Sequence, residues 1–413
     1  MKRVFLFILL ILGTLTVSAE VRRGDIEVSV LTCSPGQEVY SYYGHTAIRV
    51  KDRNMGTDLV FNYGVFDFNS ENFLWRFVLG QTDYICMATP WEYFTVEYEK
   101  RGSSVVAQVL NLTEAETMNV RDYLYNNVRK ENCVYRYNFL KNNCTTKVMD
   151  CVDACVEGEL VYSWVSEPCT YRGILREYTK DYPWSQEGND VLLGADVDTT
   201  LSHRATCFIP EYYMNALQGA VVRNEFQDTR RLVLRNDTLI KARHSIVQVE
   251  ETVPFSPIEI GWGMFGVALL LMGVELLCRK MMWVMDVILM LVHGLAGCLI
   301  CFLFCFSEHP ALDSNWLVGI LNPLPLVLLP FVVKAAWKDT FTLWHYFMAV
   351  WMALYLLFIP WMPQQMGSLV VPVLATLLSR QVSYILHYGR KTKTIKTYPH
   401  YKRKPWQGFR FAT

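Results

Sequence analysis

The sequence lacks an excess of either charge: 39 Lys and Arg stand against 39 Asp and Glu in 413 residues. A balanced chain carries no bulk field to attract a polyanion, so no nucleic-acid partner is expected. It also lacks internal repeats and, apart from a basic tail, low-complexity stretches. Among the eight cysteines that precede residue 250 there is no C-x-x-C pair, which makes zinc a poor reading. No metal or cofactor is expected.

What the chain has is apolar sequence, 52% of its residues, very unevenly placed. Residues 1–19 combine a basic start (Lys2, Arg3), a short apolar run from Val4 to Leu15 and the small residues Val17-Ser18-Ala19. That is a signal-peptide pattern with a cut after Ala19, because the run is short for a span of ~20 residues. Residues 20–255 are mixed and globular in character. From Ile258 onward, apolar stretches fall near 257–277, 283–306, 316–333, 343–362 and 368–388. Each is long enough to cross a bilayer.

The loops between these stretches predict their orientation. Arg279 and Lys280 follow the first, and Lys334 and Lys338 follow the third. The second and fourth loops contain neither Lys nor Arg. The tail, 389–413, carries eight basic residues from Arg390 to Arg410 and no acid. Every basic loop therefore lies on one side, which the positive-inside rule makes cytoplasmic. Residues 20–255 are then periplasmic, in agreement with the signal peptide, and residues 256–388 form five transmembrane helices. Glu275, Asp286, His293 and Arg380 fall inside the spans. Glu275 and Asp286 are expected to be interfacial or paired with Arg279 and Lys280, and Arg380 to snorkel inward. Trp262, Trp283, Trp316, Trp344 and Trp361 lie near span ends as interfacial anchors.

In the periplasmic part, 26–33 alternates as a strand, as do 45–50, 59–68 and 105–110. Thr113-Glu114-Ala115-Glu116 is a capping-box signature that opens a helix to about Arg129. A second helix begins at Cys144 and runs to Cys155. The stretch 156–255 is less regular, with turn signals at Pro183-Trp184 and Glu187-Gly188-Asn189. It also holds a helix from Pro210 to Ala220 and a hairpin around Arg235-Asn236-Asp237. The pattern is an α+β domain.

Two motifs carry chemistry: Tyr43-Gly44-His45-Thr46-Ala47 on a strand and Asn142-Asn143-Cys144-Thr145-Thr146 at a helix start. A thiol attacks a carbonyl only as the thiolate, and its ordinary pKa of about 8.5 leaves few thiolates at neutral pH. A helix N-terminus lowers that value, and its amides could also form an oxyanion hole. Cys144 is thus the candidate nucleophile and His45 the candidate general base and acid. Asn62 or Asp67, on the following strand, would orient the imidazole, with Asn62 preferred. Tyr43 and Asn143, beside the pair, are expected to contact substrate. By spacing alone, Cys144, Cys151 and Cys155 also form one helical stripe, which reads as core packing.

The stretches Tyr43 to Val50, Phe61 to Phe68 and Tyr137 to Thr146 resemble the Bacteroidota membrane family known as Lnb, over nearly the whole chain. The order of His first and Cys later is similar to the circularly permuted papain-like thiol enzymes, among them lecithin:retinol acyltransferase. This second likeness covers only the two motifs. That group uses a second His on the next strand, whereas no His lies between His45 and His203 here. The resemblance implies a permuted papain-like periplasmic domain followed by a five-helix membrane bundle. It also implies an inner-membrane acyltransferase that moves a fatty acyl chain from a phospholipid, through a Cys144 thioester, to the α-amine of a lipoprotein's diacylglyceryl-cysteine. Two alternatives stay open: a membrane-tethered cysteine peptidase or amidase, and a non-catalytic envelope sensor or assembly factor.

Overall fold

A computed structural model describes residues 25–66, 71–164, 167, 169–242 and 253–397, with side chains described to residue 390. The signal segment, Asp67 and the end of the basic tail lie outside the described residues. The described chain divides into two compact units. One holds 83–167, 202–247 and the residues up to Phe68; the other holds 69–82, 168–201 and everything from 248 onward.

The first unit is built on strands β1 (Ile26–Cys33), β2 (His45–Asp52), β3 (Thr57–Val65), β4 (Asp83–Pro90), β5 (Val105–Leu110) and β6 (Val134–Arg136). Short strands β7 (Glu159–Val161), β8 (Val221–Arg223) and β9 (Thr229–Arg231) precede a longer β10 (Val233–Ile240). Seven strands pair antiparallel in the order β10-β5-β1-β2-β3-β4-β6, and β7-β8-β9 make a second, small sheet. Apart from the single turn His203–Thr206, the helices before the spans are, in chain order, α1 (Phe73–Val78), α2 (Trp91–Arg101), α3 (Glu114–Asn127), α4 (Cys144–Cys155), α5 (Tyr171–Thr179), α6 (Pro183–Leu192) and α7 (Pro210–Gln218). The five membrane-length helices are named below as spans.

Both faces of the large sheet are covered, and strand alternation explains how. Val30, Ile48, Phe61 and Tyr63 point to one face, where Leu124 of α3, Met149 and Val152 of α4 and Tyr213 of α7 close over them. Leu31, Ala47, Val60 and Val105 point to the other, against Phe94 and Tyr98 of α2. The expected capping box of α3 is present: Glu116 N donates to Thr113 Oγ1 at 3.2 Å and Thr113 N to Glu116 Oε2 at 2.7 Å. Arg235-Asn236-Asp237 is not a hairpin turn. These residues run through β10, opposite Val109, Gln108 and Ala107 of β5. They are tolerated there because β10 is an edge strand with a solvent-facing side.

The second unit gathers two segments of the N-terminal half onto the membrane helices. Pro183 and Gly188, read as turns, lie inside α6: a proline at the first helical position is pre-set for a helix rather than opposed to it. Glu187 of α6 accepts from Ser368 N at 2.8 Å and Leu369 N at 3.1 Å, capping the last span. Asn315 Nδ2 donates to the carbonyls of Val191 and Leu192, and Gln364 Nε2 to that of Leu193. Beneath them Arg172, 1% exposed, is held by Asp190 and Asp198 and by the carbonyls of Leu193 and Gly194.

Among the described residues, five helices are long and apolar enough to cross a membrane: Pro257–Cys278, Trp283–Phe306, Trp316–Trp337, Leu343–Trp361 and Val370–Arg390. The third is broken. A short 3₁₀ turn, Trp316–Gly319, is separated from the helix Leu324–Trp337 by Asn322-Pro323, since the residue before proline resists the helical region. Arg380 does not snorkel. It is 1% exposed and bridges Glu275 (Nη1 to Oε2 2.9 Å, Nη2 to Oε1 2.7 Å) and Asp286 (Nε to Oδ1 2.6 Å, Nη2 to Oδ2 2.9 Å). The two carboxylates therefore pair with the fifth span rather than with Arg279 or Lys280. In an apolar medium, one guanidinium shared by two spans satisfies charges that single ends could not. Trp344 is buried in the bundle rather than anchored at its surface.

Candidate active site

The site begins with two glycines. Gly44 has φ +77°, and a Cβ there would come within 2.6 Å of the Cys33 carbonyl oxygen, so only glycine lets the chain enter β2. His45 is the first residue of β2 and pairs with Cys33 of β1. On the other side, β2 pairs with β3 so that Ala47 faces Asn62. His45 and Ala47 share a face, so Asn62 is the diagonal neighbour of His45.

The two side chains meet. His45 Nε2 lies 3.2 Å from Asn62 Oδ1. The Asn62 amide is oriented from its other end, where Nδ2 approaches Val60 O and Thr89 Oγ1, each at 3.4 Å. With an oxygen facing the ring, Nε2 carries the proton and Nδ1 is left for the thiol.

Cys144 is the first residue of α4, and Asn143 is its N-cap. Asn143 Oδ1 accepts from Thr145 N at 2.9 Å and Thr146 N at 3.0 Å, while Thr146 Oγ1 accepts from Asn143 N at 2.8 Å. Asn143 Nδ2 donates to the carbonyls of Phe139 and Phe208, both at 2.9 Å. The Asn143 side chain is thus committed at both ends and 5% exposed, and what it does in the structure is hold the helix start. Two of the first helical amides are occupied by this cap, and the Cys144 amide is the one the cap does not use. One residue on, Thr145 Oγ1 lies 3.1 Å from Thr46 Oγ1, a buried contact that ties α4 to β2 beside the dyad. Tyr43 is half-buried in the turn before His45.

Electrostatics separates Cys144 from most of its fellow thiols. Burial would raise its pKa. The positive charge of His45, a hydrogen bond from its ring, the Thr46 amide and the Thr145 hydroxyl outweigh burial and bring it down to about 7. Burial likewise opposes the charged form of His45, yet the Cys144 thiolate and Asn62 raise its pKa. Each residue therefore stabilises the charged form of the other. Burial instead pushes Cys33 far up, Cys86 up to about 12 and Cys207 up to about 11. All twelve thiols are free. Cys155 is also lowered, by a hydrogen bond from Cys151 one turn away, but it sits in the core.

Sequence reasoning missed the floor of the site. Gly64, with φ +90°, has no side chain, and a Cβ there would lie 3.9 Å from Cys144 Cβ and 4.0 Å from both Tyr135 OH and Tyr137 Cε2. Tyr135 and Tyr137 thus border the sulfur across the gap Gly64 leaves, and the thiolate's charge adds to burial in keeping both phenols protonated. The alternation Tyr135-Arg136-Tyr137, just ahead of Asn142-Asn143-Cys144, was the available signal.

Residues 16–177 match the model of the Lnb N-terminal periplasmic domain, and residues 248–392 match that of the Lnb transmembrane domain. The chain belongs to the Lnb family. The two matches together account for the sheet-rich α+β part and for the five apolar helices, in that order. His45, Asn62 and Cys144 all fall in the region matched to the Lnb periplasmic domain, and the Glu275–Arg380–Asp286 bridge in the Lnb transmembrane domain. No curated protein and no solved structure matches the chain.

Proposed function

We propose that this Lnb-family chain is a thiol acyltransferase of the inner membrane. It would move a fatty acyl chain from a phospholipid to the free α-amine of a lipoprotein's diacylglyceryl-cysteine. The observation that carries the reading is the placement of His45, bonded to Asn62, beside Cys144 at a capped helix start, in a periplasmic domain followed by five membrane-length helices.

In the first half-reaction the Cys144 thiolate attacks the ester carbonyl of the donor. The S–C bond forms, the C–O bond breaks, and His45 gives its proton to the departing lysophospholipid alkoxide. In the second, the acceptor amine attacks the thioester, the N–C bond forms, the S–C bond breaks, and His45 takes the ammonium proton as the thiolate returns. The Cys144 amide, left free by the cap, is assigned to the oxyanion. Asn62 is assigned to ring orientation and Asn143 to positioning of the helix start. The His-before-Cys order supports a permuted papain-like arrangement of the domain.

The test is mass spectrometry of lipoprotein N-termini from cells lacking the protein. The reading requires that the third acyl chain disappear and return with the wild-type gene but not with Cys144→Ala. Altered peptide ends with intact N-acylation would instead identify a peptidase.

A further inference from the structure

The six-residue helix α1 exposes Leu74 (74%), Trp75 (56%) and Phe77 (44%). Three large apolar side chains on so short a helix are costly to leave in water, at about 25 cal/mol per Å². The segment is nevertheless held firmly. Ser307 Oγ donates to Val78 O at 2.8 Å, Glu308 N to Leu79 O at 2.8 Å, and Gln81 Nε2 to Glu308 Oε1 at 2.7 Å. His309 Nε2 lies 2.6 Å from Phe77 O, and its ring packs on that of Phe77. Gly80 allows this approach: a Cβ there would meet His309 N at 2.5 Å.

These anchors follow directly on the second span, Trp283–Phe306. That span carries Val292, Leu295, Leu299 and Phe306, all exposed, at the spacing of one helical face, with Phe302 among them. A row of this kind faces lipid. Trp75 packs at a tilt against Phe302, ring centroids 5.5 Å apart, and Phe302 packs on Phe306 at 5.3 Å. Phe302 lies about 6 Å below the end of the span. The lipid-facing row therefore does not stop at the last turn of the span; it continues through Trp75 onto α1.

We propose that α1 is an interfacial element that inserts Leu74, Trp75 and Phe77 among the acyl chains of the periplasmic leaflet. The occupant of its exposed face is glycerophospholipid. The polar contacts of Ser307, Glu308, His309 and Gln81 lie behind it, at headgroup level. That the leaflet entered by α1 is the one that holds the acyl donor rests on the proposed function.

The test uses the full chain in vesicles of phosphatidylethanolamine and phosphatidylglycerol, with photoreactive benzoylphenylalanine placed singly. At Leu74 or Phe77, irradiation should add the mass of one phospholipid, as it should at Val292 on the lipid-facing row. At Met55, in the exposed turn between β2 and β3, it should not. A lipid adduct at Val292 with none at Leu74 or Phe77 overturns the proposal, and so does cross-linking of these positions to a second protein chain. Turnover of a vesicle-borne donor by the Leu74→Ser, Phe77→Ser variant should fall about 10-fold or more, while alkylation of Cys144 keeps its rate. A wild-type chain with no transferase activity would refute the acyltransferase reading alone, since the adducts are read without turnover.

Discussion

Asn62 reaches His45 diagonally across the β2–β3 ladder, Oδ1 to Nε2 at 3.2 Å. That contact orients the ring, which also hydrogen-bonds the Cys144 thiol. It also makes the two residues a unit, so the loss of either is felt at the sulfur.

The thiol should titrate early. Alkylation of Cys144 by iodoacetamide, followed by mass spectrometry, should rise with pH through an inflection near 7, below the ~8.5 of an ordinary thiol. The sign follows from the pair. As pH rises through the lowered Cys144 value the thiolate forms, and the raised His45 value keeps the imidazolium protonated to higher pH than an ordinary histidine. In His45→Ala the inflection should move up; an unchanged inflection would remove His45 from the pair. Cys144→Ala should lower turnover on the order of 10⁴-fold.

Asn62→Ala should leave the fold intact but free the ring. Turnover is expected to drop by roughly 10- to 100-fold, because a small misplacement of a reacting group has an effect of that size. Asn62→Gln, longer by one methylene, should restore little. The readout that separates orientation from stability is the Cys144 alkylation profile, which should shift up in Asn62→Ala at unchanged melting temperature.

Asn143→Ala removes a cap whose oxygen serves two amides and whose nitrogen serves two carbonyls. A loss of about 1–2 kcal/mol is expected from the cap alone. Asn143→Asp keeps the acceptor and should recover much of the thermal stability while still stranding the carbonyls of Phe139 and Phe208. If Asn143 touched substrate instead, KM would change with stability untouched.

In the bundle, Arg380→Met leaves Glu275 and Asp286 buried without a cation. Breaking such a bridge from one side should destabilise by about 3–5 kcal/mol, read as a lower melting temperature in detergent. The triple variant with Glu275→Gln and Asp286→Asn should recover much of that loss, because no uncompensated charge remains. A single variant as stable as the wild type would show that the bridge contributes nothing.

Much of the local structure is legible without coordinates. The β1 alternation, the Thr113–Glu116 capping box, the start of α4 at Cys144 and four unbroken spans follow from periodicity, caps and apolar length, all of which act over a few residues. The break at Asn322-Pro323 and the helix at Pro183 show the limit of that reading, since a proline both starts and stops helices and only packing decides which.

The sequence by itself determined the strand that bears His45, the helix start that bears Cys144, and the alternation of basic and neutral loops. Each depends on local side-chain type and spacing. Only the tertiary structure decided that Asn62 meets His45, that Asn143 is committed to its helix, that Gly64 leaves Tyr135 and Tyr137 beside the sulfur, and that Arg380 unites Glu275 with Asp286. These pairings are set by strand register and helix packing across tens to more than a hundred residues; in the strands a one-residue slip would send each side chain to the opposite face.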